Sequence, residues 1–153
     1  MDNVVVESGM STSTVPPKRG HQRIRHKAQA ALIPCLQQGV VEVATAFRPT
    51  PEHEVWRADV AYLSFERDVT PDNEYLLGAP DLVIEVLSPG NTAEEIEDKR
   101  LTCMANGCVS FWVLNARQRM VSVTEGNVTI HYGPSETIVS KMFPVSIPVD
   151  EIL

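Results

Sequence analysis

A glutamate stands inside an otherwise apolar run. Residues 82 to 87 read LVIEVL, and Glu85 is the charged member of that run. A segment that is apolar on both faces is typical of a central strand covered by helices. Burying a lone carboxylate there is costly unless it is paired, hydrogen-bonded or bound to a metal ion. Two interpretations stay open: a structural ion pair, for example with Arg57, or a metal ligand or acid–base group.

Strand geometry indicates a partner for Glu85. Asp81 shares its face of the strand but lies about 13 Å away, at about 3.3 Å per residue, too far to share one ion directly. Asp59 lies on the preceding predicted strand. If the two strands pair as a hairpin with Asp59 opposite Glu85, the turn is centred on Asp72, within the turn-forming sequence PDN. Two carboxylates side by side, facing a helix, suit Mg²⁺ or Mn²⁺.

Lys99 is the basic group that could complete such a set. It follows Glu95 by four residues in a predicted helix, so an ion pair along the helix is one explanation. The other is that Lys99 turns back toward Glu85, where it could stabilise the charge of an attacking hydroxide or of a transition state. Asp59, Glu85, a divalent ion and a lysine form a set competent for phosphodiester hydrolysis.

The hydrophobic pattern predicts the elements that position these residues. A helix is expected over 20–38, with a kink or an early end at Pro34. A second helix begins at Asn91 or Thr92, each with a glutamate three residues later, and ends before Gly107. Strands are expected at 40–48, 55–65, 81–88 and 109–115, with a hairpin over 119–133, a long loop over 66–79 and a proline-broken edge over 142–153. This order predicts an α/β or α+β layer with one central mixed β-sheet.

The chain of 153 residues is long enough for one domain with a core, which we expect over residues 21–153. Residues 1–20 are interpreted as an N-terminal arm with an edge strand at 3–7. Cys35, Cys103 and Cys108 form no CxxC pair and are interpreted as buried thiols in a reducing compartment. Without a long apolar stretch or a secretory pattern, the expected location is the cytoplasm, with no membrane contact.

Charge limits the classes of partner. The net charge of −7 disfavours a dedicated nucleic-acid binder, which usually has a basic excess. A local patch can differ from the total, and PPKRGHQRIRHK at 16–27 contains no acid. Both a solvated helix face and contact with phosphate groups fit this patch. His21 and His26, five residues apart, are interpreted as surface residues.

These residues resemble the Uma-type restriction endonuclease family of the PD-(D/E)XK nuclease superfamily. The block GAPDLVIEVLSPGN, then EDKR and NGCVSFWVLN, is similar to the family's strand PDLVVEVLSPS, its helix with an acid four residues before a lysine, and its YWVVD-like strand. Upstream, WRADVAYLS resembles RPDVAFVS, and HQRI resembles the start of the first long helix. The resemblance covers residues 20–153.

The resemblance implies a restriction-endonuclease-like fold with helices flanking a mixed sheet, and a Mg²⁺- or Mn²⁺-dependent site that cleaves DNA, in a protein expected to act as a homodimer. Asp59 and Glu85 match the acids of the second and third core strands and would hold the metal. The superfamily's lysine usually lies two residues after the second acid, where this chain has Leu87, so Lys99 would be a relocated catalytic lysine. Asp81, Arg57 and Glu95 match accessory positions.

Departures from the family pattern leave two other functional classes possible for this protein. The family's acidic segment before the first helix corresponds to MDNVVVES, with Asn3 at an acid position, and further departures occur at Ala58, Glu95, Cys103 and Asn115. One alternative is a catalytically degenerate module that binds nucleic acid or regulates. Another is a structural protein in which Glu85 is only an ion-pair partner. In that last case Glu85→Gln would destabilise the fold, whereas at an active site it would often stabilise the apo fold.

Overall fold

A computed structural model describes residues 18–153 of the chain. Most of the predicted N-terminal arm lies outside that range, including the strand predicted at 3–7 and Asn3. The elements, in chain order, are α1 (Arg19–Leu32), β1 (Gly39–Arg48), β2 (Trp56–Ser64), β3 (Leu76–Leu77), β4 (Leu82–Val86), α2 (Ala93–Ala105), β5 (Ser110–Asn115), β6 (Met120–Glu125), β7 (Val128–Tyr132), β8 (Thr137–Ile138), β9 (Ile147–Pro148) and α3 (Val149–Ile152).

A seven-stranded mixed sheet forms the centre of the fold, in the order β3-β1-β2-β4-β5-β6-β7. The β1–β3 and β4–β5 pairs are parallel, and the other neighbours are antiparallel. Helix α1 packs with the core cluster on one face, where it also contacts α3, and α2 packs on the other. The predicted central mixed sheet flanked by helices is confirmed.

The apolar run around Glu85 is the central strand that its composition indicates. All five residues of β4 are buried. Leu82, Ile84 and Val86 face the α1 side, and Val83 faces the α2 side. Glu85 shares the face of Val83, because side chains alternate along a strand. A carboxylate is therefore placed under helix α2.

Several predicted boundaries needed correction. Helix α1 ends at Leu32, so Pro34 marks an early end and not a kink. The segment 66–79, predicted as loop, contains the short strand β3. The proline-broken tail contains strand β9, which pairs with β8 in a separate two-stranded sheet, and helix α3, whose Val149 and Ile152 are buried in the α1-side core. These elements have two to four residues, too few for a periodic pattern to show in the sequence.

Strand β2 changes faces at Asp59. Val60 and Tyr62 pack in the α1-side core, whereas Trp56 and Ala58 pack in the α2-side core. A regular strand would keep these four alternate positions on one face. The side chain of Asp59 is therefore not confined to the face that strict alternation would give it.

Strand β1 makes the same change beside it. Val41 packs on the α1 side and Phe47 on the α2 side. Between them Ala44 has φ +59°, in the left-handed region that residues other than glycine seldom adopt. The register is the same before and after Ala44, since Val43 faces Val60 and Thr45 faces Ala58. Neither strand therefore contains an inserted residue at this point. The change of faces in both strands is centred on Ala44 and Asp59, which lie side by side in the sheet.

Candidate active site

Glu85 and Lys99 form an ion pair between the sheet and helix α2. Lys99 Nζ lies 3.1 Å from Glu85 Oε2, and both side chains are 1% exposed. Lys99 Nζ also donates to the backbone carbonyl of Arg57 at 2.7 Å and lies 5.6 Å from the centre of the Trp56 ring. The carbonyl and the aromatic face compensate part of the hydration that the ammonium loses on burial. The prediction that Lys99 turns toward Glu85 is confirmed.

A capping box fixes the helix that carries Lys99. The Thr92 hydroxyl accepts from the Glu95 backbone N–H at 3.1 Å, and the Glu95 carboxylate accepts from the Thr92 backbone N–H at 3.0 Å. Of the two predicted N-caps, Thr92 is therefore the one used, and Asn91 instead accepts from the Ser88 backbone N–H. Glu95 acts at the helix start, so the alternative of a Glu95–Lys99 ion pair along the helix is wrong.

Asp59 lies where β2 and β4 diverge. The two strands pair with Val60 opposite Ile84 and Tyr62 opposite Leu82. The next positions along this register are Asp59 and Glu85, as predicted. The ladder ends there, and the Asp59 Oδ2 atom accepts from the Val86 backbone N–H at 2.7 Å. The carboxylate thus replaces a backbone acceptor at the end of the ladder.

The second oxygen of Asp59 is held by helix α1. Arg25 donates to Asp59 Oδ1 from Nε at 2.7 Å, and its Nη2 lies 2.5 Å from the same oxygen. His21 Nε2 lies 3.7 Å from that oxygen and donates to the Val86 carbonyl at 3.1 Å. Asp59 therefore contacts side chains of α1, whereas Glu85 contacts Lys99 of α2. The expectation that both acids face one helix is wrong, because β2 changes faces at Asp59.

Two residues of the basic patch have functions that the sequence interpretation missed. Arg25 is buried, and His21 is 14% exposed at its side chain rather than a surface residue. Lys18, Arg19, Arg23 and Lys27 are exposed, as the solvated-face interpretation expects. The signal lay in the spacing: positions 21, 25, 28 and 32 share one face of a helix, and two of them are the apolar Ala28 and Leu32.

Asp81 has a positioning function in the structure. Its carboxylate accepts from the Ser64 backbone N–H at 2.9 Å and from Arg67 Nη1 at 3.1 Å. Arg67 also donates to the Ala79 carbonyl at 2.7 Å. These contacts join the end of β2 to the start of β4 and so support the register that brings Asp59 beside Glu85. Arg57 contributes its backbone carbonyl to the Lys99 environment.

The cysteines near α2 are inert thiols. Cys103 and Cys108 are buried and free, and burial raises the pKa of both, that of Cys108 to about 12. Cys35 is half-buried, and burial, followed by the nearby Glu151 charge, raises its pKa as well. A raised pKa keeps a thiol protonated at neutral pH, so none of the three is an activated nucleophile.

The chemistry of the donor set fits a hard divalent cation. Asp59 and Glu85 carry the oxygen ligands that Mg²⁺ and Mn²⁺ prefer, and they directly follow the last paired positions of neighbouring strands, but α1 holds Asp59 and α2 holds Glu85. Among residues 18–153, no group of three or more His, Cys, Asp or Glu side chains converges as a ready-made metal site. The two acids would therefore need ligands from water or substrate, as Mg²⁺ sites commonly do.

A family profile described as "Uma2: Putative restriction endonuclease" matches residues 9–150. The chain belongs to this family. Among solved structures, a crystal structure described as a "putative nuclease" from Anabaena variabilis ATCC 29413 is similar, with a TM-score of 0.77 and 16% identity over 90% of this chain and 82% of that chain. No curated protein matches the sequence.

These comparisons confirm the family resemblance and the nuclease-like α/β fold. Asp59, Glu85 and Lys99 all fall within the matched range of the Uma2 family. Within the described part of the chain, none of the helices has the length and apolar character needed to cross a membrane.

Proposed function

We propose that this Uma2-family chain is an endonuclease that hydrolyses DNA phosphodiester bonds with Mg²⁺ or Mn²⁺ as its cofactor. One observation carries the proposal. The buried Glu85–Lys99 ion pair lies in register with Asp59, at the point where two central strands separate. Charged groups that are buried together at the end of strands are typical of a functional site more often than of a stabilising device, since buried pairs add little stability.

Each residue has a distinct function in this proposal. Asp59 and Glu85 would hold the cation, which when bound supplies Lewis-acid activation of water and of the scissile phosphate. Lys99 would place its ammonium near the developing negative charge, where the dry surroundings strengthen the interaction. Trp56 and the Arg57 carbonyl keep that ammonium oriented. Asp81 positions the strands through Arg67, and Glu95 positions Lys99 by capping α2.

A second candidate function is a degenerate nuclease-fold module that binds nucleic acid or regulates without cleaving it. The observation that favours it is the engagement of Asp59: Arg25 binds one oxygen and the Val86 backbone N–H binds the other. A carboxylate satisfied in this way is stable without a cation. In such a module the acids would serve the fold, and nucleic acid would bind to exposed basic residues of α1.

Cleavage of supercoiled plasmid DNA with Mn²⁺ or Mg²⁺ tests the first candidate against the second. We expect nicked or linear product from the wild type, and loss of product with Glu85→Ala or with chelator. Glu94→Ala is the matched control, since Glu94 is an exposed glutamate in the first turn of α2. If wild type and Glu85→Ala both fail to cleave at high protein concentration and after long incubation, the result favours a degenerate copy, in which Glu85 serves the fold, over the nuclease.

We also propose that the protein works as a cytoplasmic homodimer. Free cysteines suit a reducing compartment. Strand β7 lies at one edge of the sheet and exposes Val128 and Ile130, so a second copy could add to this edge. Sedimentation velocity of the wild type beside Ile130→Lys tests the interface: the substitution should shift the population toward monomer.

A further inference from the structure

We propose that Arg25 competes with a divalent cation for Asp59, so that the guanidinium weakens cation binding at this carboxylate for as long as it stays in place. The inference rests on the proposed function for the class of ion concerned. It adds a residue of helix α1 that limits metal binding at the same site. The contacts of Arg25 and the burial of Asp59 carry it.

Both oxygens of Asp59 are already used. Oδ1 receives Arg25 Nε at 2.7 Å and lies 2.5 Å from Arg25 Nη2, and Oδ2 accepts from the Val86 backbone N–H at 2.7 Å. A cation needs a lone pair of one of these oxygens. Oδ1 receives both Arg25 contacts, whereas Oδ2 keeps a lone pair beside its bond to the Val86 N–H, so a cation at either oxygen would lie close to the guanidinium.

Arg25 cannot release Asp59 by losing its proton, because a guanidinium stays charged in proteins. A cation placed on Oδ1 beside a retained Arg25 would put two positive charges against one carboxylate in a site where Arg25 is 9% and Asp59 6% exposed. Like charges repel more strongly where water is scarce. Cation and Arg25 therefore compete for Asp59.

The two internal cations of the site differ in this respect. Lys99 is 1% exposed and has additional partners in the Arg57 carbonyl and the Trp56 ring. Arg25 is 9% exposed, so its long side chain already reaches solvent. The structure therefore assigns the displaceable position to Arg25 and the fixed one to Lys99.

The experiment is Mn²⁺ binding to the metal-free protein, measured by isothermal titration calorimetry and by electron paramagnetic resonance of free Mn²⁺. We expect Arg25→Gln to tighten Mn²⁺ binding by about tenfold or more, the scale on which groups around metal ligands alter affinity. Arg23→Gln removes an exposed arginine from the same helix and should leave the affinity at the wild-type value. Arg25→Gln combined with Asp59→Asn should lose the gain.

Thermal unfolding supplies a second readout. Without metal, Arg25→Gln should unfold at a lower temperature than the wild type, because Asp59 loses its counter-charge. Added Mn²⁺ should raise the Tm of Arg25→Gln more than that of the wild type, since a ligand stabilises the state that binds it. If Arg25→Gln does not fold, Arg25→Met, which removes the charge and keeps an unbranched side chain at this buried position, takes its place, and its Mn²⁺ affinity should exceed that of the wild type.

Equal Mn²⁺ affinity in the wild type and in the folded Arg25 variant would overturn the inference. That failure is separable from failure of the proposed function. If the wild type cleaves plasmid DNA and the Mn²⁺ affinities are equal, the proposed competition between Arg25 and the cation is wrong and the proposed nuclease function is retained. If Arg25→Gln binds Mn²⁺ more tightly and neither protein cleaves DNA, the proposed competition is retained and the proposed nuclease function is wrong.

Discussion

Glu85 and Lys99 pair at a depth where a charge without a counter-charge is very costly. Both side chains are 1% exposed, and their closest atoms are 3.1 Å apart. Buried pairs are seldom better for stability than apolar residues of similar size, but removal of one partner is strongly destabilising. We therefore expect each side chain of this pair to depend on the other, and we do not expect the pair to add much to the free energy of unfolding.

A double-mutant cycle measures that dependence. We expect Lys99→Met to lower the free energy of unfolding by about 3 kcal/mol, because it leaves Glu85 without the ammonium. Glu85→Gln together with Lys99→Met should cost less than the two single changes added, with a coupling of about 1 kcal/mol or more. Urea unfolding of the four proteins at neutral pH gives the values. If the losses in the free energy of unfolding are additive, the two side chains do not interact, contrary to the structure.

At the scale of elements, the position of Lys99 depends on where α2 begins. Thr92 and Glu95 satisfy one another's backbone N–H groups, and Glu94 and Glu95 place negative charge at the positive end of the helix dipole. With this start, Lys99 lies in the second turn and reaches Glu85 on β4. A helix that began elsewhere would direct the ammonium to another part of the sheet.

Thr92→Ala tests the start of α2. It should lower the free energy of unfolding by about 1 kcal/mol, the usual cost of losing an N-cap hydroxyl. Thr102→Ala is the matched control, since it removes a threonine from the interior of the same helix, where alanine has the better propensity. Chemical denaturation of both variants compares them. A Thr92→Ala variant as stable as the wild type would show that the cap contributes little.

The sequence predicted the central elements because their signals are local and strong. The apolar run of β4, the Thr92–Glu95 spacing and the turn around Asp72 led to the observed strand, helix and register. The change of faces at Asp59 was not predictable, because it coincides with a left-handed backbone at Ala44 on the neighbouring strand, a conformation that alanine seldom adopts and that the sequence does not mark. For the same reason the pairing of Asp59 with Arg25 was missed, although the pairing of Glu85 with Lys99 was found.

At the scale of the whole molecule, the charge is uneven. The chain carries a net charge of −7, yet Lys18, Arg19, Arg23 and Lys27 are exposed along one helix. That helix also carries His21 and Arg25, which contact Asp59. If nucleic acid binds this protein, electrostatics favour contact between its phosphates and α1, because the rest of the molecule is mostly acidic. Such contact would place a phosphate backbone beside the candidate site.

Fluorescence anisotropy with a labelled DNA duplex tests this arrangement. Arg19→Glu combined with Arg23→Glu should weaken binding and reduce the slope of log affinity against log salt by about two, near one for each lost phosphate contact. Arg117→Glu combined with Lys141→Glu changes the net charge equally at exposed positions outside α1 and should have a much smaller effect. Equal losses in both proteins would mean that total charge governs binding. A selective loss would assign the phosphate contact to the helix whose inner face holds Asp59, so that one element both binds the backbone and controls access to a carboxylate of the site.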